Sequence, residues 1–262
     1  MGDAAADEKQ AEQNRCDSVH GVSMAPEGLW RLERNDRRVL FACDETTAVF
    51  ADTGSAAVGR HDHPAWKLLL PIGDGPAAVE RGGILTPPAV LIPPRWPHSS
   101  RISDGYIGIF LDTPPLPRGA GPIALSQRGK RRLRDALAIS DDLDGAPDLA
   151  AIRQEIIRLA GRPGHLDPRV ARALEHLLEV PTLGELARTV GLSAPRLRRL
   201  VDEQVGVPLA RLRRWRRLRT AIGVLPAGSV AAAAAHAEFA DQAHLSRTAR
   251  DMVGRAPSSL LI

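Results

Sequence analysis

The residues best suited to chemistry fall into two groups far apart in the chain. In the first, His61 and His63 stand one residue apart, Trp66 follows closely, and Trp96 and His98 come later. Imidazoles in an H-x-H pair with a third histidine can ligate a metal. They can equally hydrogen-bond a small molecule, or serve structurally at strand ends. The second group is rich in arginine. Pro195, Arg196, Arg198 and Arg199 share one short segment, six arginines including Arg213 and Arg217 crowd positions 211–219, and Asp241, Gln242, His244 and Arg247 share a third. Guanidinium, amide and imidazole groups are the side chains that pair with phosphate oxygens and with base edges in a DNA groove.

Charge separates the two groups. The net charge of +4 over 262 residues decides nothing. Residues 1–165, however, hold 20 basic and 22 acidic residues, whereas residues 166–262 hold 15 arginines, no lysine and 9 acids, a balance of +6. An anionic partner is therefore expected for the second part alone. The arginines of positions 211–219 repel one another unless an anion or acidic neighbours relieve them. Aromatic residues are 3% of the chain, with Tyr106 the single tyrosine, which excludes a single-strand site built on stacked bases. Cys16 and Cys43 are too few for a disulfide framework and read as free thiols of a reducing compartment. The start of the chain is hydrophilic and acidic, unlike a signal peptide. The alanine-rich run 221–237 is broken by Pro226, Gly228 and Ser229 and does not make a membrane span. A cytoplasmic protein without membrane contact is the expectation.

These residues must be positioned by two different kinds of structure, giving an α+β chain of two domains. Residues 1–25 read as a disordered tail. Over 26–115, short apolar runs at Val39–Ala42, Ala48–Ala51, Lys67–Ile72, Ala89–Ile92 and Tyr106–Leu111 alternate with Gly, Pro and Asp turns, the pattern of a small antiparallel barrel or sandwich. A Pro/Gly breaker over 113–121 ends that domain. Ile123–Ile139 and Asp148–Ala160 carry apolar residues at helical spacing and form a linking segment, 120–162. Residues 166–262 form an all-helical domain that opens on Asp167-Pro168, an N-cap followed by proline.

Within that domain the pattern is doubled. Thr182 caps a helix with Leu183, Leu186, Ala187 and Val190 on one face; Gly191 makes the turn, and Ser193 caps a second helix that buries Leu197, Leu200 and Val201 while exposing Pro195, Arg196, Arg198 and Arg199. A short helix, a glycine turn and an arginine-bearing helix match the unit that lays its second helix in a major groove. A long helix from Pro208 to Leu225 follows, with Leu209, Leu212, Trp215, Leu218 and Ile222 on one face. Ser229 then opens a second unit whose turn is plugged by Phe239 and whose reading helix begins with Asp241, Gln242, His244 and Arg247. A connecting helix of about 26 Å could set two reading helices near one duplex turn, about 34 Å, apart.

The stretches DPRVARALEHL, TLGELARTVGLSAPRLRRLVDEQVGVPLARLRRWRRLRTA and FADQAHLSRTARDMVGRAPSSL, from Asp167 to Ser259, resemble the DNA-binding domain of AraC/XylS-type bacterial transcription regulators. The resemblance implies seven helices, two helix-turn-helix units and tandem major-groove contacts. By position it points to Pro195, Arg196, Arg198 and Arg199, and to Asp241, Gln242, His244 and Arg247. Arg213 and Arg217 on the connecting helix are expected to meet phosphates. The chain departs from the family pattern at Glu238, where the second turn usually has Gly, and at Ala240, where a Ser/Thr-type cap is usual. Ala249 and Val253 are smaller than the usual apolar residues, and Ala231–Ala235 lacks the usual acid. A weaker second unit is expected.

The segments RHDHPAWKLLLP and VLIPPRWPHSS resemble the two strand motifs of cupin barrels, which sense effectors in this regulator family. His61, His63, Trp66, Trp96 and His98 are accordingly the ligand-binding candidates. Structural histidines remain the alternative. A metal is opposed by Lys67, which stands near the position where metal-binding cupins carry a Glu, because an ammonium beside a cation is unfavourable. No metal and no cofactor is assigned. The resemblance implies a regulator that binds duplex DNA sequence-specifically, tuned by a small molecule, working as a homodimer through the helices of 120–162, and meeting RNA polymerase if it activates. The rival from another class is a cupin metalloenzyme, an oxygenase or isomerase with a helical appendage.

Overall fold

The computed structural model describes residues 23–25, 28–112, 121–161 and 164–261. The tail expected over 1–25 lies outside the described residues up to position 22. Its last three residues, Ser23–Ala25 (β1), pair instead with β2 (Leu29–Arg34). Most of the Pro/Gly breaker, 113–120, also lies outside them.

Among the described residues, twelve strands form two antiparallel sheets. β3 (Arg37–Cys43), β4 (Thr47–Asp52), β6 (Trp66–Pro71), β9 (Ala89–Ile92), β11 (Tyr106–Leu111) and β12 (Ile123–Leu125) join β1 and β2 in one sheet of order β1-β2-β3-β4-β11-β6-β9-β12. β5 (Ala56–His61), β7 (Ala78–Glu80), β8 (Ile84–Leu85) and β10 (His98–Ile102) make the second, in the order β5-β10-β7-β8. No ladder joins the two among the described residues, so the expected barrel is a two-sheet arrangement with a shared interior. The hairpin between β2 and β3 turns on Asn35 and Asp36, both at positive φ (48° and 61°), the two-residue turn whose twist matches the flanking strands.

The large sheet is buried on both faces. Phe41, Phe50, Leu69 and Phe110 face the second sheet and cluster with its Val58, Val79 and Ile102. The alternate residues, including Trp66, Leu68, Leu70, Ile107 and Ile109, pack beneath α1 (Gln127–Leu137) and α2 (Leu149–Ala160). Double burial explains why β4, β6, β9 and β11 are buried at every residue and mostly apolar rather than alternating. It also takes up the apolar residues of the two linking helices. Leu133, Leu137, Ile152 and Ile156 are buried against the chain's own sheet, and Leu159 is partly buried with them. The helix expected from Ile123 starts only after the Ser126 cap, because Ile123–Leu125 extend the sheet edge beside β9.

Six further helices follow: α3 (Pro168–Glu175), α4 (Leu183–Thr189), α5 (Ala194–Gln204), α6 (Leu209–Val224), α7 (Val230–His236) and α8 (Gln242–Val253). The seven implied by the resemblance are thus six α-helices plus short 3-10 turns at 225–227 and 257–260. Their starts are written in the sequence. Asp167, Ser193 and Ser229 each accept a backbone N–H two or three residues ahead, and Thr182 with Glu185 makes a reciprocal capping box. No described helix is long and apolar enough to cross a membrane.

Candidate nucleic-acid interface and its joint with the sheets

The first helix-turn-helix unit is α4, the turn at Gly191 (φ 66°) and α5. Leu186, Ala187, Val190, Leu197, Leu200 and Val201 are buried together, so the angle between the helices is set by packing. Pro195, Arg196, Arg198 and Arg199 are left exposed on α5. Arg199 is held by Glu203 one turn on, at 2.6 Å. Arg196 and Arg198 have no ion-pair partner among the described residues.

The second unit is α7, a turn at Glu238 and α8. Glu238 takes φ 56° where a glycine would be unstrained, as its position predicts. The cap expected to be missing at Ala240 is supplied one residue later: the Asp241 carboxylate accepts the His244 N–H at 2.6 Å. Asp241 therefore has a structural task at the position expected to face a base. Gln242 and Arg247 are exposed; His244 is half-buried with its ring edge-on to Phe239, centroids 5.1 Å apart. Ala249 is buried and Val253 partly buried, so the smaller side chains still pack.

The arginines of α6 are relieved from within the chain. Arg213 donates to the carbonyls of Leu177 (3.0 Å), Val180 (2.9 Å) and Pro181 (2.7 Å), tying α6 to the segment before α4. Arg217 holds both the carboxylate and the carbonyl of Glu238, securing the second turn. Arg216 reaches Leu174 O and Asp112; Arg211 reaches Asp62 and Asp251. Arg219 is buried and bonded to Asp112 and to the carbonyls of Asp44, Glu45 and Thr47. Arg213 and Arg217, expected to meet phosphates, thus also bond within the chain. Arg214 alone of the six is exposed without an acidic partner among the described residues.

These bonds also dock α6 onto the sheets. Asp112, at the end of β11, accepts from Trp215 Nε1 as well as from Arg219. Trp30 Nε1 donates to Ile222 O at 3.0 Å, and Trp215 packs on Phe110 with centroids 5.0 Å apart. The sequence flagged the basic side of this joint. Asp112 was missed, although an acid directly after an apolar strand and a basic helix elsewhere were both visible.

The histidine motifs do converge. His61, His63 and His98 are buried, with a ligand nitrogen of each within 4.8 Å of the others. Each Nδ1 lies against a backbone carbonyl, His61 at 2.8 Å from Gly59 O, His63 at 2.6 Å from Ala65 O and His98 at 2.9 Å from Trp96 O. Lys67 Nζ is 3.3 Å from His61 Nε2. Burial and then the Lys67 charge push His61 down to about 2 and His98 to about 3, and His63 well down; burial also brings Lys67 to about 8. Trp96 borders the cluster, 5.8 Å from His98 between centroids, with the Arg81 guanidinium over its ring. Trp66 does not join it: one residue before Lys67 on β6, it points to the opposite face, beneath α1 and α2.

The geometry defines a class, a two-unit helix-turn-helix module docked on an antiparallel sheet domain. Comparison with known proteins agrees. Residues 186–261 match the family described as "Helix-turn-helix domain", so this stretch is a helix-turn-helix domain. No curated protein matches the chain in sequence. Among solved structures the chain is similar to ToxT of Vibrio cholerae. One structure of ToxT is 9% identical with a TM-score of 0.52, covering 82% of this chain and 98% of that one. Unsaturated fatty acid-bound ToxT is 12% identical with a TM-score of 0.50, covering 81% and 93%. The AraC-like transcriptional activator CuxR aligns over 80% of this chain and 90% of its own, at 16% identity and a TM-score of 0.37. The two-domain fold is that of ToxT.

Proposed function

We propose that the chain is a transcription regulator, not an enzyme, that binds duplex DNA sequence-specifically through both helix-turn-helix units and is tuned by a small molecule in its sheet domain. The observation that carries this reading is the exposed face of α5, where Pro195, Arg196 and Arg198 stand clear on a helix whose opposite face is fully packed. Base-edge contacts fall to Arg196 and Arg198, with Pro195 and Arg199 beside them. In the second unit they fall to Gln242, His244 and Arg247, with Asp241 holding the helix start. Phosphates are met by Arg214. The homodimer, the cytoplasmic setting and the contact with RNA polymerase in the case of activation belong to the same reading.

ToxT has been seen with unsaturated fatty acid bound. In this chain a cavity of about 50 Å³ lies between the sheets and α6, bordered by Phe50, Leu69, Phe110, Trp215, Lys67 and Arg219. That volume is well below the about 300–1,000 Å³ of ordinary ligand pockets. An apolar ligand with an acidic head would suit the walls and the two cations, and to fit it must push α6 away from β11. Effector binding and movement of the DNA-binding domain are then one event.

The test is selection of bound fragments from random duplex DNA by the purified protein, followed by Arg196→Ala. Affinity for the selected sequence should fall by about 1–3 kcal/mol while random DNA loses less. Equal losses on both would show that Arg196 does not read bases.

A further inference from the structure

We propose that Lys67 is a carbamylation site: its side-chain amine takes up CO2, and the carbamate so formed lies in the cavity between the sheets and α6. Lys67 stands opposite Phe110 and Ile92 on the two neighbouring strands, and both of these point into the interior. Directly paired residues share a face, so Lys67 points inward too. It is 5% exposed, and no carboxylate pairs with it among the described residues. Its Nζ meets His61 Nε2 at 3.3 Å and the face of Phe110 at 5.7 Å. A buried charge without a counter-ion is costly. Burial has brought Lys67 down to about 8, so a share of it is free amine near neutral pH.

Two donors beside the same cavity lack an acceptor. Ser100 stands opposite Val58 and Val79, both interior, so its hydroxyl points inward, where it is buried with no partner among the described residues. Arg219 is buried as well. Asp112 and three carbonyls serve its terminal nitrogens, whereas its Nε has no partner among the described residues. Lys67, Ser100 and Arg219 all border the one cavity. A carbamate supplies two acceptor oxygens and sets a negative group near a guanidinium, the stronger kind of hydrogen bond. Size selects the reactant. The cavity measures about 50 Å³, and its other walls include Phe50, Leu69, Phe110 and Trp215. A water needs about 10–15 Å³ of such space, so three heavy atoms fit where an ordinary ligand does not. CO2 is a molecule of that size, and being neutral it enters without bringing a charge out of water.

The chemistry balances without a redox partner. The ammonium first releases a proton to solvent. The Nζ lone pair then adds to the carbon of CO2, an N–C bond forms, and one C=O π pair moves onto oxygen. The nitrogen gives up a second proton, leaving a neutral N–H bonded to a carboxylate. His61 Nε2 is placed to take that proton. Its Nδ1 faces the Gly59 carbonyl, which keeps the ring N–H there and the lone pair on Nε2. Burial and the Lys67 charge hold His61 down at about 2, and the carbamate replaces that charge with an attractive one. Lys130, by contrast, commits its ammonium to the Gly73 carbonyl. Because Arg219 stands on α6, a carbamate bonded to its Nε acts on the helix that joins the two helix-turn-helix units. That coupling rests on the DNA-binding reading; the adduct does not.

The experiment uses the full-length protein, equilibrated with isotopically labelled CO2 and bicarbonate in the absence of DNA. Carbamates are trapped by alkylation with a trialkyloxonium salt and located by peptide mass spectrometry, while carbon NMR reports them untrapped. The label should appear on Lys67 in preference to Lys9 and Lys130, and the NMR signal should saturate with CO2. Ser100→Ala should lower occupancy at subsaturating CO2 by about twofold to tenfold, the worth of one hydrogen bond; equal occupancy would remove the carbamate from this cavity. Lys67 recovered unlabelled from the unsubstituted protein at high CO2 would overturn the proposal, whether or not a variant folds. With no DNA present, that failure leaves the regulator reading intact. Once Lys67 is labelled, CO2 should shift the affinity for selected DNA in the unsubstituted protein and not in Lys67→Met. An unmoved affinity would overturn the coupling.

Discussion

Asp112→Asn is the sharpest probe of how the two domains are held. The carboxylate is 3% exposed and carries three partners at once: Arg219, itself 7% exposed, Trp215 Nε1, and Arg216 at 3.4 Å. Asparagine keeps the shape and an oxygen for Trp215 but removes the charge opposite a buried guanidinium. Breaking a buried pair from one side costs about 3–5 kcal/mol. Arg219 retains the carbonyls of Asp44, Glu45 and Thr47, which places the expectation at the lower end, about 3 kcal/mol. For a chain of this size that corresponds to a fall in Tm of roughly 6–12 °C. Urea and thermal unfolding, each followed by circular dichroism and tryptophan fluorescence, would measure it and reveal any separate melting of the joint. Arg219→Met in the same background should recover part of the loss, because a buried pair replaced on both sides is far less costly than one left half-paired. A change within about 0.5 kcal/mol for Asp112→Asn, or strict additivity in the double variant, would show that Asp112 does not hold the joint.

Gly254→Ala should destabilise by about 2–4 kcal/mol, since it adds left-handed strain at φ 72° to a Cβ 2.5 Å from Val58 Cγ1, and a melting curve measures the loss. Glu238→Gly should raise stability by up to about 1 kcal/mol in urea titrations: it releases strain at φ 56°, and the ion pair lost with Arg217 involves a largely exposed carboxylate. Salt dependence of DNA affinity separates the arginines of α6. Arg214→Gln should reduce the slope of log K against log salt by about 0.9. Arg213→Gln should leave the slope unchanged and lower Tm instead, because its donors already serve Leu177, Val180 and Pro181.

What the sequence made legible was local. Caps at Asp167, Thr182, Ser193 and Ser229, the glycine at 191 and the apolar stripe of α6 each involve residues within a turn or two, and all stand where their spacing puts them. The strained turn at Glu238 was legible for the same reason. The convergence of His61, His63 and His98 was foreseeable from strand motifs, but the side of the sheet was not. Trp66 and Lys67 are neighbours on one strand and therefore face opposite ways. Strands β5, β7 and β10 escaped the search for apolar runs because half their residues face outward and are polar. The internal pairing of the α6 arginines was illegible for a different reason. Their partners, Asp112, Asp62, Asp251, Glu238 and a row of carbonyls, lie far away in sequence, and periodicity carries no trace of them.

Those partners make α6 a joint that faces three ways at once. Arg213 and Arg216 hold the segments before α4, Arg217 holds the turn before α8, and Trp215 with Arg219 locks Asp112 at the end of β11. The strand β11 is bonded to β6, which carries Lys67, and Lys67 touches the histidine cluster that backs onto Gly254 at the end of α8. A ligand in the cavity, on the proposed reading, would press on α6, whose bonds reach both helix-turn-helix units, and close-packed neighbours have discrete rather than continuous alternatives. Of the 15 arginines of residues 166–262, Arg211, Arg216, Arg219 and Arg255 bond to the sheets, whereas Arg172, Arg188, Arg196, Arg198, Arg214, Arg247 and Arg250 stand exposed without an ion-pair partner among the described residues.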